Sequence, residues 1–204
     1  MSAPRLILAS ASPRRRALLE QIGLQFEVVI TDVDESVRPG ESPAVYVERL
    51  ARSKARAGYQ PDFQPGTVVL GADTTVTIDD EILGKPCGLT EGVAMLQRLS
   101  ARTHQVMTGV AVYDGERLES CVVSTAVTFR DISVDEAEAY WHTGEPADKA
   151  GGYGIQGIGG IFAERLDGSY SAVVGLPLEQ TEELLRTLDI DTWSTRIDGR
   201  RTPH

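Results

Sequence analysis

Apolar residues recur along the first third of the chain in runs that alternate between strand-like and helix-like spacing. Residues 4–10 predict a strand and 13–22 a helix. A second strand is predicted over 26–31. A second helix follows over 43–57, begun by Ser42 and closed by Gly58.

The middle of the chain favours hairpins around a single helix. Residues 66–86 predict one strand that ends near Gly71 and another beyond it, with a turn at residues 79–80. A helix is predicted over 90–100. Two further strands lie within 104–129 and are joined by Asp114-Gly115, a strong hairpin signal.

The last third begins with a helix that a capping box opens, formed by Ser133 and Glu136. A glycine-rich loop, strands over 160–166 and 169–175, and a helix over 177–188 follow. We therefore predict an α/β domain over residues 1–190 with a mixed sheet, and a frayed polar tail over 191–204.

Composition and charge exclude several classes of protein. A net charge of −10 argues against non-specific nucleic-acid binding, which requires a basic surface. No stretch is apolar for long enough to span a membrane, and the N-terminus does not resemble a signal peptide. Cys87 and Cys121 show no metal-ligand spacing, and we expect both to be free thiols in a cytoplasmic protein.

Three arginines, residues 14–16, occupy the first turn of the first predicted helix. A cation at the positive end of a helix costs about 0.3–1 kcal/mol, so their position requires a compensating interaction. With the hydroxyls of Ser10 and Ser12 nearby, free helix N–H groups and guanidinium groups favour a phosphate site. The alternative is a solvated charge run, or ion pairs with Asp32, Asp34 and Glu35.

Two further positions carry candidate chemistry. Asp73 follows an apolar strand, where a carboxylate either caps a turn or serves catalysis, and Thr74 adds a hydroxyl beside it. Lys54 points along the inward face of its helix, so it either reaches past the apolar stripe to solvent or meets an anion. Lys85 lies in a turn after a strand, as an ordinary surface lysine would.

Residues 152–157 match the dinucleotide-binding pattern G-x-G-x-x-G but lack its context, a preceding strand and a following helix. We interpret the loop as irregular backbone that wraps around another group. Gln156 offers an amide that can read the edge of a base, or can brace its own loop. The histidines show no metal-ligand spacing.

Several motifs in order resemble the Maf-like nucleoside triphosphate pyrophosphatases, from about residue 5 to residue 188. They are "SASPRRRALL", "GADTTV", "ILGKP", "THQVMTGVAV", "GEPADKAGGYGIQGIGG" and "GSYSAVVGLPL". The loop "DKAGGYGIQG" resembles the branch that acts on dTTP and UTP. The resemblance implies a mixed, elongated β-sheet flanked by helices, with two lobes around a cleft, related to the inosine triphosphatase-like fold.

The resemblance also implies roles for individual residues. Asp73 would be the proton acceptor, and Arg14, Thr74 and Gln156 would select the substrate. The implied reaction converts a nucleoside triphosphate and water to the monophosphate and pyrophosphate. The alternatives are a 7-methyl-GTP pyrophosphatase and a nucleotide-binding regulator of septum formation.

The family's metal dependence implies Mg²⁺ or Mn²⁺. From charge and position we expect Glu35 to be the second carboxylate at the metal, with Asp34 and Asp32 as alternatives. Further phosphate contacts are expected from Ser10, Arg15, Lys54 and Lys85. Whether the chain is a monomer or a homodimer stays open.

Overall fold

A central seven-stranded sheet organises the structure, a computed structural model that describes residues 5–193. Its strands run in the order β2-β1-β3-β5-β6-β7, and β4 pairs with the far end of β3. The strands are β1 (Leu6–Ala9), β2 (Glu27–Val29), β3 (Val68–Ile78), β4 (Glu81–Leu83), β5 (Thr103–Tyr113), β6 (Leu118–Phe129) and β7 (Ala163–Asp167).

The sheet is mixed: β1 is parallel to β2 and β3, and the remaining pairs are antiparallel. The predicted mixed α/β architecture is therefore confirmed. The α-helices are α1 (Pro13–Gln21), α2 (Pro43–Gly58), α3 (Leu89–Leu99), α4 (Val134–Trp141), α5 (Tyr170–Val174) and α6 (Leu178–Thr187). Short 3-10 turns at Glu145–Asp148, Ala150–Gly152 and Ile158–Phe162 shape the glycine-rich loop.

Two hydrophobic cores lie at opposite ends of the long strands, which confirms the predicted two lobes. The first core packs α1 and α6 on β1, β3 and β5 through Leu8, Leu19, Leu70, Val112 and Leu185. The second packs α3, α4 and the glycine-rich segment on the other ends of β3, β5 and β6 through Leu96, Val106, Phe129, Tyr140 and Phe162.

A break in strand pairing separates the two lobes. Strand β1 pairs with β3 only as far as Gly71, and β4 pairs with β3 only from Val76 onward. Between these points, none of the described strands pairs with residues 72–75 on that edge, although β5 pairs along the other. The gap leaves one edge of β3 open in its middle, and a cleft forms there.

Strand β3 continues straight through Gly71, so the prediction that a strand ends there is wrong. Gly71 is needed for packing instead: a Cβ would overlap the carbonyl oxygen of Ala51 in α2. Gly109 in β5 has the same relation to Val47. The backbone of α2 therefore lies directly on the sheet.

Two other local predictions differ from the structure. Residues 170–174 form helix α5 rather than a strand, because the hydroxyl of Ser169 caps the backbone N–H of Ala172. The strand predicted over 160–166 begins only at Ala163, after a 3-10 turn. The hairpin turn at Asp79 and Asp80 is confirmed, with φ of 54° and 61°.

The tail predicted over 191–204 lies outside the described residues from position 194 onward. Across residues 5–193, the structure contains no helix both long and apolar enough to cross a membrane. Cys87 and Cys121 are both free, as expected.

Candidate active site

The cleft between the lobes has a volume of about 740 Å³. It is lined by the loop after β1, the start of α1, one face of α2, the open segment of β3 and the glycine-rich loop. It brings together nine residues given a site role from the sequence: Ser10, Arg14, Arg15, Glu35, Lys54, Asp73, Thr74, Lys85 and Gln156.

Asp73 lies in the middle of β3, on the face that α2 covers, and is 8% exposed. The Lys54 ammonium lies between two carboxylates, 2.7 Å from Asp73 Oδ1 and 2.6 Å from Glu35 Oε1. Lys54 therefore contacts anions, as one of the two interpretations from the sequence predicted. These anions are two carboxylates of the protein itself. Among the described residues, Asp73 Oδ2 makes no hydrogen bond, so this oxygen is free to act on a ligand.

Glu35 comes to the cleft on a loop that α2 anchors. Arg49 forms a two-pronged ion pair with Glu41 at 2.5 and 2.7 Å and donates to the carbonyl of Ser36. Tyr46 donates its hydroxyl to the carbonyl of Glu35. Burial raises the pKa of Glu35, but the hydrogen bond and charge of Lys54 outweigh it, so the pKa falls below its ordinary value.

The alternatives to Glu35 do not reach the cleft. The carboxylate of Asp34 accepts the backbone N–H of Ser36 and so closes its own loop. Neither Asp32 nor Asp34 lines the cleft. Glu35 is therefore the acidic side chain of this loop that lies beside Asp73.

Arg15 lines the cleft as a buried side chain, with 9% of its surface exposed. Its Nε donates to the carbonyl of Gly175 at 2.8 Å, and its terminal nitrogens reach Ser10 Oγ and Thr74 Oγ1 at 3.2 Å. Burial lowers the pKa of Arg15, and the carboxylate of Asp73 partly offsets this effect. Three of its five N–H donors are used, which leaves two without an acceptor among the described residues.

Thr74 belongs to a directed chain of hydrogen bonds. Thr108 donates to the carbonyl of Ala172 at 2.7 Å, and its hydroxyl lies 2.9 Å from that of Thr74. Because a hydroxyl carries one proton, Thr74 must be the donor to Thr108, while it accepts from Arg15. Thr74 therefore presents an acceptor, not a donor, to a ligand in the cleft.

The three arginines of α1 have different environments. Arg14 lines the cleft, where its guanidinium lies 3.7 Å from the Asp148 carboxylate on the opposite wall. Arg16 points away and pairs with Glu20 on the exposed side of the helix. Arg16 therefore does not face the cleft with Arg14, contrary to the expectation for the three arginines, because successive helical positions are about 100° apart.

Gln156 is exposed in the cleft and, among the described residues, its amide makes no hydrogen bond. The alternative that Gln156 braces its own loop is wrong, because Glu145 forms the side-chain hydrogen bonds to the loop backbone instead. The Glu145 carboxylate accepts the backbone N–H groups of Ile158 and Gly159 at 2.9 and 3.0 Å. It is the group around which the glycine-rich loop wraps.

Within residues 5–193, no three side chains of the ligating types are grouped closely enough to hold a metal without other ligands. Mg²⁺ commonly binds one or two carboxylates and completes its shell with water and substrate phosphates. Glu35 and Asp73, which converge on Lys54, provide such a pair. The donor set therefore fits a divalent cation that is bound together with a phosphate ligand, at the carboxylate oxygens that the Lys54 ammonium does not contact.

Sequence reasoning missed four residues that position the site: Tyr46 and Arg49 behind Glu35, and Tyr140 and Glu145 behind Gln156. For Glu145 a signal exists, because an acid beside a glycine-rich run can accept several free N–H groups. Arg49 carries no such signal, since its contacts depend on how the loop folds back.

Comparison with known proteins identifies one matching family and three similar proteins. A family model described as Maf-like protein matches residues 5–188. Proteins named dTTP/UTP pyrophosphatase from Pseudoalteromonas atlantica and Vibrio cholerae are 52% and 53% identical. The first alignment covers 91% of this chain and 97% of the relative, the second 91% and 98%. The protein of that name from Pseudoalteromonas translucida is 55% identical over 88% of this chain and 95% of its own.

Among solved structures, the Staphylococcus aureus Ham1 protein aligns over 64% of this chain and 72% of its own. The sequence identity is 16% and the TM-score 0.43, a similarity too low to support an inference.

Proposed function

This chain belongs to the Maf-like protein family, and from that premise we propose that it hydrolyses dTTP and UTP to the nucleoside monophosphate and pyrophosphate. The observation that carries the proposal is one cleft that holds the Asp73 carboxylate and the Gln156 amide, of which Asp73 Oδ2 and the amide make no hydrogen bond within residues 5–193. Basic side chains for a polyphosphate line the same cleft: Arg14, Arg15, Lys54 and Lys85.

The chemistry is attack of water on the α-phosphorus. The water oxygen bonds to phosphorus, the bridging oxygen between the α- and β-phosphates leaves with pyrophosphate, and a water proton passes to Asp73 Oδ2. Such a reaction needs little covalent chemistry from the protein, because positioning and charge neutralisation dominate. Arg14 and Arg15 supply positive charge from the helix side of the cleft.

A divalent cation, Mg²⁺ or Mn²⁺, would be held by Glu35 and Asp73 together with substrate phosphates. When bound, it would neutralise charge on the phosphate oxygens. We expect removal of divalent cations by a chelator to abolish pyrophosphate release, and added Mg²⁺ or Mn²⁺ to restore it. Full activity in excess chelator would contradict the metal requirement.

Gln156 would select the base. Uracil and thymine share an edge of two carbonyl oxygens around an N–H, which an amide can pair with through its own donor and acceptor. A flipped amide would fit cytosine equally well, so the loop must fix the orientation of Gln156. A site that pairs such groups rejects the wrong base because a mismatch leaves buried polar groups unpaired.

The proposal predicts high kcat/KM for dTTP and UTP and much lower values for CTP, GTP and 7-methyl-GTP. The Gln156→Leu variant should lose about 10-fold or more of the preference for UTP over CTP, since one amide–base pair is lost. Rates of pyrophosphate release across the five nucleotides measure both.

Binding of the phosphates is the internal control, because inorganic tripolyphosphate has no base. Its inhibition constant should be unchanged in Gln156→Leu. A wild-type preference for 7-methyl-GTP would contradict the proposed substrate class, and an unchanged base preference in Gln156→Leu would remove the role of Gln156.

A further inference from the structure

We propose that Glu145 and Tyr140 are positioning residues that set base selectivity by fixing the loop that carries Gln156. This inference rests on the proposed function, since it concerns how the same site chooses its substrate. Neither residue takes a chemical part in the reaction under this proposal.

Glu145 and Tyr140 hold the loop on both sides of Gln156. After Gln156, the Glu145 carboxylate accepts the N–H groups of Ile158 and Gly159. Before it, the Tyr140 hydroxyl accepts the N–H of Gly154 at 3.1 Å, while it donates to Glu145 Oε1 at 2.7 Å. The two side chains therefore form one unit that ties together both ends of the segment 154–159.

This unit explains why several positions in the loop are glycine. A Cβ at Gly157 would overlap the Glu145 carboxylate, and one at Gly159 would lie 2.5 Å from the Tyr140 hydroxyl. At Gly154, a Cβ would lie 2.8 Å from Lys149 Cε and 3.1 Å from Glu145 Oε1. The backbone thus approaches Tyr140 and Glu145 more closely than any other residue type would permit.

Packing and hydrogen bonds hold the two side chains of this unit in place. Tyr140 is 3% exposed and packs edge-on against Phe162 in the second core. Burial opposes ionisation of Glu145, but the hydrogen bonds from Tyr140, Gly159 and Ile158 outweigh it and lower the pKa of Glu145. Lys149 adds a hydrogen bond to the Glu145 carbonyl at 2.8 Å. The loop is therefore anchored to the core rather than to its own side chains.

Selectivity depends on this anchor because the Gln156 amide has no partner within the described protein to orient it. A loosened loop would let the amide present its donor or its acceptor to either pyrimidine. Discrimination between UTP and CTP would then fall, while the phosphate contacts on the other side of the cleft would stay.

The test uses two variants of the whole chain, Tyr140→Phe and Glu145→Gln, and compares kcat/KM for UTP and CTP. Tyr140→Phe removes one oxygen and leaves the Glu145 bonds to Ile158 and Gly159. Glu145→Gln keeps the shape but can turn an NH₂ toward those N–H groups. We expect the UTP:CTP ratio to fall about 10-fold in each, as one or two hydrogen bonds are lost.

Two readouts separate positioning from general damage. The inhibition constant of inorganic tripolyphosphate should stay within about twofold of wild type. The control Glu136→Gln alters a glutamate in the cap of α4 that pairs with Arg130 and does not line the cleft. It should leave the UTP:CTP ratio unchanged even if it lowers the melting temperature.

The outcomes are distinct. If the wild type releases no pyrophosphate from UTP or does not prefer it to CTP, the proposed function fails and this inference fails with it. If the wild type has the preference and folded Tyr140→Phe keeps the same ratio, the inference alone is overturned. A parallel loss of tripolyphosphate binding and of turnover on both nucleotides would also overturn it, because that pattern marks a purely structural role.

Discussion

Asp73→Asn is expected to lower kcat for UTP hydrolysis by about 10²–10⁴-fold, the usual contribution of a general base. Asparagine keeps the size of the side chain but cannot accept a proton from water. The fold should survive, because Lys54 retains Glu35 as a partner at 2.6 Å. The measurement is kcat at saturating UTP as a function of pH, together with a thermal melt.

Asp79→Asn is the matched control. Asp79 lies in the exposed turn at the end of the same strand, pairs with Arg102, and has a positive φ that asparagine tolerates. It should leave kcat unchanged. If Asp73 served only to hold Lys54, then Asp73→Asn and Lys54→Met would show the same rise in KM with kcat near wild type. That result would remove the proposed base.

Arg15→Ala is expected to destabilise the protein by about 1–3 kcal/mol, because buried acceptors lose their donor. The carbonyl of Gly175 and the hydroxyls of Ser10 and Thr74 are the groups affected. This reverses the expectation from local sequence, by which removal of a cation from a helix N-terminus is neutral or stabilising. The same variant should weaken dTTP binding, since a positive charge that lines the cleft disappears.

Arg14→Ala is the comparison, because the two residues are neighbours in α1. Arg14 is partly exposed and its contact with Asp148 is 3.7 Å long, so such a pair adds little stability. Its removal should leave the melting temperature unchanged or slightly higher, yet still weaken dTTP binding. Melts with and without dTTP measure both effects. Equal melting temperatures for wild type and Arg15→Ala would show that the buried contacts of Arg15 contribute nothing to the stability of the fold.

Most secondary structure could be predicted because it depends on a few adjacent residues. Caps at Ser12, Ser42 and Ser133 mark the starts of α1, α2 and α4 where they were expected. The glycines were harder to interpret. From the sequence alone, Gly71 is equally consistent with the end of a strand and with the close approach of a helix backbone. Only its packing against α2 distinguishes the two.

The candidate site could be predicted as a set of residues but not as an arrangement. The motifs, together with the helix and charge patterns, named nine of the residues that line the cleft, but not Tyr46 or Glu145, which line it too. They did not indicate that Lys54 lies between Asp73 and Glu35, because those three side chains come from separate elements.

The chain's local patterns thus established its α/β class, the positions of every described α-helix except α5, the hairpins at residues 79–80 and 114–115, and many of the polar residues that meet in the cleft. Tertiary structure alone decided how each side chain is used. Arg15 and Arg16 are neighbours, yet Arg15 is buried against Gly175, 160 residues away, while Arg16 pairs with Glu20 in solvent. The physical reason is that burial and hydrogen-bond partners come from distant segments, and a local pattern carries no record of which segments will meet.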